Sequence, residues 1–434
     1  MGTTTTTAAD IVHGNCLTVM ADMPADSIDS IVTDGPYGLA ELPADKVVAA
    51  ITQWVTGDRA FVPDGRGFMT ADWDSFVPPP AVWDQCFRLL KPGAHLLAFA
   101  GARTADLMGL AIRLAGFEIR DTIHWAYGSA MPHGIDAAKA LDARFGHTPG
   151  DAPASPEAQQ WAGWHTGLKP AVEPIIVARK PMIGPVADNL LAHGVGALNI
   201  DGCRIPVHGE RAWADTVDNG VRNGIYNRNR STGSTTADPV TLGRFPANLV
   251  LTHSPACQPT GRRTQVGPAG EHIEQWACHP GCPVPHLDQQ SEDHGSRFFH
   301  HTTWTGDDLS AALLYVSKAG GHERPTGDNG IRHISVKPVA LMRHLTRLVT
   351  PPNGVILDPF TGSGSTIEAA LIEGFQPVGI ERHQPYLALI AERIARWQRA
   401  HDQMIDPNHD AYYQTPSTLP AAPAIDGQLD MFHP

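Results

Sequence analysis

Three groups of residues in this 434-residue chain have types and spacing suited to chemistry. The first is Asp34. It closes a β-branched run, Ser30-Ile31-Val32-Thr33, and is followed by Gly35-Pro36-Tyr37-Gly38. A strand that ends this way delivers a carboxylate, a carbonyl-rich turn and a flat ring to the edge of a sheet. The carboxylate and the backbone carbonyls can accept hydrogen bonds from an amino group, and the ring can stack on a base. Taken alone, an Asp-Gly-Pro turn is also ordinary loop chemistry.

The second group is Val355-Ile356-Leu357-Asp358-Pro359-Phe360-Thr361-Gly362-Ser363-Gly364-Ser365-Thr366, which reads as a strand, a tight turn and a helix start. Glycines let a backbone approach a ligand closely. Glu381 ends the next strand, and a carboxylate there can hold both hydroxyls of a ribose. A third glycine, expected of nicotinamide dinucleotide sites, is missing.

The third group is His253-x3-Cys257 with Cys278-x3-Cys282. Two pairs of nitrogen and sulfur ligands are the usual make-up of a structural zinc site. The spacing within each pair is three, where two is commoner for cysteine pairs, and His279 and His286 are spare ligands. Three buried thiols in a loop-rich region are the plainer alternative. Between the second and third groups in kind stands Asn219–Ser231, with Arg222, Arg228 and Arg230 among Gly, Asn and Ser. Arginines in such a loop can reach phosphates and base edges, or can simply be solvated. Arg262, Arg263 and Arg297 are further candidates for phosphate contacts.

The elements that must position these residues alternate. Asp10–Asn15 reads as a short strand, Cys16–Met23 as a helical turn and Ser27–Thr33 as a strand. Helices are expected over 46–55, 81–90 and 107–115, and strands over 95–100 and 117–125. Order resumes with helix 337–349, strand 355–358, helix 366–373, strand 377–381 and helix 384–399. Strand and helix alternating at this spacing predict an α/β fold with a doubly wound, mostly parallel sheet. From about Gly146 to Gly330, Gly, Pro, Ser, Thr and Asn dominate, with short strand-like runs at 174–178 and 247–251. The expected division is a disordered leader (1–9), a catalytic half (10–145), a loop-rich insertion (146–330), a cofactor half (331–400) and a flexible acidic tail (401–434).

Composition limits the partners. A net charge of −13 argues against a wholly basic nucleic-acid-binding surface. It leaves room for a local basic cleft, because charges more than about 10 Å away are screened. No apolar run reaches membrane-spanning length, and no signal peptide is evident, so a cytoplasmic protein with no membrane partner is expected.

Asp34-Gly35-Pro36-Tyr37 resembles the Asp-Pro-Pro-Tyr motif of amino-methylating DNA methyltransferases, with Gly35 in place of the first proline. Asp358-Pro359-Phe360-x-Gly362-Ser363-Gly364, followed by Gly379-Ile380-Glu381, resembles the S-adenosylmethionine site of the same enzymes. The acceptor motif comes first here and the cofactor motif last. That circularly permuted order, with a long segment between, resembles the β group of these methyltransferases, whose middle segment is the target-recognition region. Lys337-Pro338 is similar to the family's Lys-Pro motif beside the methionine end of the cofactor. Leu168–Ile175 and Ser296–Phe299 are similar to segments of phage and bacterial adenine-methylase-like sequences. Asn15 stands where relatives often carry Asp, and its amide oxygen could still meet the cofactor's adenine.

The resemblance implies a Rossmann-like fold and methyl transfer from S-adenosylmethionine to the N6 of a flipped adenine in double-stranded DNA, by a monomer or homodimer. The cofactor residues would be Asp358, Phe360, Gly362, Gly364, Glu381, Lys337 and Asn15. The acceptor residues would be Asp34, Gly35, Pro36 and Tyr37. Cytosine N4 is the alternative target, and a non-catalytic DNA-binding relative is the alternative of a different class. No Pro-Cys pair of the kind used by cytosine-C5 methyltransferases occurs.

Overall fold

The structure, a computed structural model, describes residues 8–40, 42–65, 72–127, 134–148, 152–205, 245–253, 257–266, 271–279, 282–290, 296, 299–302, 333 and 336–405. The chain opens with β1 (Asp10–His13), α1 (Cys16–Asp22), β2 (Ile28–Thr33), α2 (Ala44–Thr56), α3 (Pro80–Leu89), β3 (Leu90–Phe99), α4 (Ala105–Leu114) and β4 (Glu118–Tyr127). The middle holds α5 (Ala137–Arg144), α6 (Pro156–Gln160), β5 (Val172–Arg179), α7 (Val186–His193), β6 (Leu249–Thr252), β7 (Gln258–Val266), β8 (Glu271–Ala277), α8 (Pro283–Gln290) and β9 (His300–Thr302). The last part is α9 (Val339–Val349), β10 (Val355–Asp358), α10 (Ser365–Ile372), β11 (Gln376–Glu381) and α11 (Gln384–Asp402).

Nine strands form one sheet in the order β1-β11-β10-β2-β3-β5-β4-β6-β9. All neighbours are parallel except β5, which runs antiparallel to both β3 and β4. The central parallel strands β2 and β3 are buried on both faces, as parallel strands covered by helices require. Ile31 and Leu96 face one core with α1, α3 and α4. Their successors Val32 and Leu97 face the other, with α9 and α10. This alternation within a continuous apolar run is the period-2 geometry of a strand covered by helices on both sides. The expected mostly parallel α/β sheet is present.

The expected elements recur within a few residues of their bounds, with three differences that matter. The strand expected over 95–100 begins earlier, since β3 starts at Leu90 and runs through Lys91, Pro92 and Gly93. Gly93 makes this possible at φ 85°, and Lys91 bonds Asp29 on β2 at 2.7 Å. The strand-like run near 174–178, assigned to the insertion, lies instead in the middle of the main sheet as β5. Its residues Glu173–Ala178 are buried without interruption, so β3 and β4, which it joins, are adjacent to it rather than to each other. Likewise β6 and β9 extend the sheet's far edge. Finally, Lys337 and Pro338 precede α9 instead of opening it.

The parallel strands β11, β10 and β2 are consecutive in the sheet, and they end in Glu381, Asp358 and Thr33 followed by Asp34. Three carboxylates therefore arrive along one edge, at the carboxyl ends of the strands, where open α/β sheets bind ligands.

Candidate active site

The turn after β2 is held from outside itself. Asp74 Oδ1 accepts the backbone N–H groups of Tyr37 at 2.6 Å and Gly38 at 3.0 Å. Thr104 Oγ1 donates to the Tyr37 carbonyl at 2.5 Å. Gly38 has φ 65°, and a side chain there would meet the backbone of Phe76 and Val77. Gly35 packs against the cofactor turn: a Cβ on it would lie 2.8 Å from the ring of Phe360. The departure from proline at this position thus has a structural counterpart, a ring that occupies the space a side chain would need. Among the described residues nothing donates to the Gly35 carbonyl.

Asp34 is engaged on both oxygens. Lys337 Nζ donates to Oδ2 at 2.5 Å, and the Tyr37 hydroxyl lies 2.8 Å from Oδ1. The same hydroxyl lies 2.9 Å from Glu173 Oε2, and the Tyr127 hydroxyl lies 3.3 Å from Glu173 Oε1. Lys337 is buried, 3.6 Å from Glu173, with its ammonium over the rings of Tyr37 and Phe99. Burial lowers the Lys337 pKa, and the Asp34 carboxylate opposes that. Burial and the neighbouring Asp34 push Tyr37 well above the ordinary tyrosine range, so its phenol stays protonated. The Tyr37 ring, expected to stack on a base, is here flanked by Lys337.

The turn after β10 is folded around two carboxylates. Asp358 Oδ1 accepts from Thr33 Oγ1 at 2.7 Å and from the Phe360 N–H at 3.1 Å. Burial raises Asp358 to about 6, against the lowering effect of hydrogen bonds from Thr366, Thr33 and Phe360. Glu381 Oε2 accepts the Gly362 N–H at 2.7 Å and Oε1 the His383 N–H at 2.6 Å. Its pKa is raised by burial, with those backbone N–H groups pulling the other way. Gly362 and Gly364 have φ of 54° and 82°, a region L side chains rarely adopt. Arg393, fully buried, donates to the Ser363 carbonyl at 2.8 Å and pairs with Glu368, tying the turn to α10 and α11.

Asp34, Asp358, Phe360, Thr361, Gly362 and Thr366 line one small, open cleft. A glycine cradle and a buried carboxylate beside it suit a ribose-bearing ligand. Asn15 lies just past β1, whose His13 is in register with Glu381. Its Oδ1 caps α1 by accepting the Leu17 N–H at 2.9 Å, which leaves an amide oxygen lone pair available.

Away from this cleft, the ligand atoms of His253, Cys257, Cys278 and Cys282 all lie within 4.8 Å of one another. Arg222, Arg228 and Arg230 lie outside the described residues, as do most of the leader and tail. Arg262 and Arg263 are on β7, opposite Glu274 and Ile273.

Sequence reasoning missed several residues of the site. Glu173 was noticed only within a family-like segment, and nothing in the sequence placed it beside Tyr37, 136 positions earlier. His333 also lines the cleft and stands over Gly362. Its ring stacks near Trp73 and lies edge-on to Tyr386. Thr33 stands next to Asp34 in the opening motif, but nothing local in the sequence pairs its hydroxyl with Asp358.

The sequence matches the family described as DNA methylase, of the N6 and N4 type, over residues 28–392. It is 32% identical over 119 residues to the type II methyltransferase M.HindIII of Haemophilus influenzae, covering 27% of this chain and 36% of that protein. It is 44% identical over 71 residues to YubD of Escherichia coli K12, named as a methylase, covering 16% of this chain and 31% of that protein. The chain thus spans about a third of the length of the curated relatives it matches. Among solved structures, the cytosine-N4-specific PvuII DNA methyltransferase is similar at 12% identity and a TM-score of 0.43, over 92% of this chain and 94% of that one. That overlap is too loose to carry an argument about residues or substrate. The family match extends from the strand before Asp34 to the helix after Glu381, and the chain belongs to the N6/N4 DNA methylase family.

Proposed function

We propose that this chain transfers a methyl group from S-adenosylmethionine to the exocyclic N6 of an adenine flipped out of duplex DNA. The observation that carries the reading is that the Asp34 turn and the Asp358–Gly364 turn line a single cleft. An amine acceptor and a ribose-bearing donor would meet there. The order of the two turns along the chain, acceptor first, supports placing it with the β group.

When bound, the donor supplies an electrophilic methyl group on a sulfonium. Glu381 is placed to hold ribose hydroxyls, and the Gly362 and Gly364 backbone allows close approach. Asn15 lies at the neighbouring strand end, where an adenine edge would pass.

An exocyclic amine is a poor nucleophile because its lone pair is delocalised into the ring. Hydrogen bonds from its N–H groups to Asp34 and to the Gly35 carbonyl favour a tetrahedral nitrogen whose lone pair points at the methyl. Positioning and electrostatics then carry the catalysis. The amine can share Asp34 Oδ1 with the Tyr37 hydroxyl, through the oxygen's second lone pair, or take that hydroxyl's place. That hydroxyl has one proton and two carboxylates within reach, so it remains satisfied on Glu173. Lys337 holds the other oxygen of Asp34 through its ammonium. Flipping the base costs a few kcal/mol, and stacking on an aromatic ring offsets about 1–3 kcal/mol of it.

Adenine is preferred over cytosine because position 34 carries Asp, a tendency among adenine-specific relatives. Incubation with labelled methyl donor and mixed-sequence duplex DNA, followed by nucleoside analysis, tests the reading. N6-methyladenine is the expected product. N4-methylcytosine would reassign the target base, and a chain that binds donor but labels no DNA would overturn the activity.

A further inference from the structure

None of His253, Cys257, Cys278 and Cys282 lines the cleft, and the construction of their cluster is that of a metal site. The four residues come from two places in the chain, and the β7–β8 hairpin brings them together. Gln258 and Ala277 are a register pair at the open end of that hairpin. Cys257 immediately precedes the first and Cys278 immediately follows the second. His253 follows the last residue of β6, and Cys282 stands just before α8. One ligand pair therefore leaves the main sheet, and the other leads into a helix that packs beneath it.

Two nitrogen–sulfur edges of the cluster have the length expected of a tetrahedral site. His253 Nδ1 lies 3.4 Å from Cys278 Sγ and 3.6 Å from Cys282 Sγ. With Zn–S of about 2.3 Å and Zn–N of about 2.0–2.1 Å, the nitrogen–sulfur edge of a tetrahedron is about 3.6 Å. A donor set of one imidazole and three thiols selects a soft tetrahedral ion over magnesium or calcium. All six cysteines of the chain are free thiols, so no disulfide competes for these three.

The surroundings have the features of a ligand cage. His279 N–H donates to Cys257 Sγ at 3.3 Å, and the Cys282 N–H donates to the His279 carbonyl at 2.9 Å. The first bond orients a sulfur; the second ties Cys282 to the residue that follows Cys278. The Trp276 ring stacks on His253 with centroids 4.2 Å apart and planes at 20°. His253, Cys257 and Cys282 are buried among Leu251 and Val284. Partners that fix the ring and shield the sulfurs are what tune and hold a bound ion.

We propose that these four residues bind one structural zinc ion, which fastens the β7–β8 hairpin and α8 to the end of β6. The hairpin forms a two-stranded sheet of its own, and the ligand cluster sits at its junction with the nine-stranded sheet. A cross-link there holds a loop-rich segment that has little apolar surface to bury. The ion is a clamp and takes no part in methyl transfer.

The test is the metal content of the full-length chain, purified without chelator, then incubated with zinc and desalted. About one zinc per chain is expected, with Cys282→Ser and His253→Ala well below that and Cys16→Ser, outside the cluster, unchanged. Cobalt replacement in the unmutated chain gives a reading that does not depend on any variant folding. A tetrahedral visible spectrum with thiolate charge-transfer bands is expected. Well under one zinc after reconstitution, an octahedral cobalt spectrum, or full retention in Cys282→Ser would each overturn the proposal. None of these readings depends on methyl transfer.

Discussion

Lys337 Nζ lies 2.5 Å from Asp34 Oδ2, although 303 positions separate the two residues. The lysine side chain is 1% exposed and that of Asp34 17%. The ammonium also faces Glu173 at 3.6 Å, so one buried cation serves two carboxylates. The strand end that presents Asp34 and the segment that leads into α9 are thereby locked together at the cleft.

Removing that cation has a defined consequence. Lys337→Met keeps the length of the side chain and takes the ammonium away from the Asp34 carboxylate. Breaking a buried pair from one side costs about 3–5 kcal/mol, and denaturant unfolding should register a loss of that order. Lys337→Met with Asp34→Asn should recover part of it, because the stranded charge is gone as well. Strict additivity of the two losses would show that the pair is not coupled.

Tyr37 contributes a ring and a hydroxyl, and the two can be separated. Tyr37→Phe removes the hydrogen bond shared between Asp34 and Glu173 and keeps the ring. A single such bond is worth about 1–1.5 kcal/mol, so methyl transfer to DNA should fall by roughly tenfold or less. Tyr37→Ala also loses the stacking surface, worth about 1–3 kcal/mol, and should fall further. Equal losses in the two variants would place the whole contribution in the hydroxyl.

Gly35 stands where the related motif has proline, and Phe360 occupies the space beside it. Gly35→Ala drives a methyl group to within 2.8 Å of that ring. Overpacking of this kind costs about 1–3 kcal/mol, seen as a lower Tm. Gly35→Ala combined with Phe360→Leu should regain most of the loss. A fully stable Gly35→Ala single variant would mean that the ring moves aside freely.

Both turns were legible in the sequence because each sits at the end of a short apolar strand, and strand-then-turn chemistry is local. The pairing of β2 with β10, which brings Thr33 to Asp358, was not legible, because the pairing of distant strands is a tertiary fact. Glu173 was not legible as part of the site. Its strand lies in a segment whose composition reads as loop, and only the antiparallel insertion of β5 between β3 and β4 carries it to Tyr37. Lys337 was legible as a motif, but its partner was not, since the contact is made across the sheet edge. His253 and the three cysteines were legible through spacing, whereas the register of β7 with β8, which joins the pairs, is a tertiary fact.

Asp358 gives the chain a pH dependence opposite to that of a salt-bridged carboxylate. Burial raises it from 3.8 to about 6 in the folded chain. Between those values the folded state holds a proton that the unfolded state has lost. Its contribution to stability is therefore full below about pH 4 and is lost as pH rises through about 6. At pH 7 the charged, buried carboxylate costs on the order of 2–3 kcal/mol relative to a group whose pKa does not change. Asp358→Asn removes this titration and keeps the geometry, because its amide oxygen can still accept from Thr33 and Phe360 and its amino group can donate to Thr366. Paired urea unfolding at pH 4, 5, 6 and 7 should show the variant gaining on the parent chain as pH rises, with most of the gain between pH 4 and 6. A difference that stays constant over that range would mean that Asp358 does not titrate there and is held charged by its three hydrogen-bond donors.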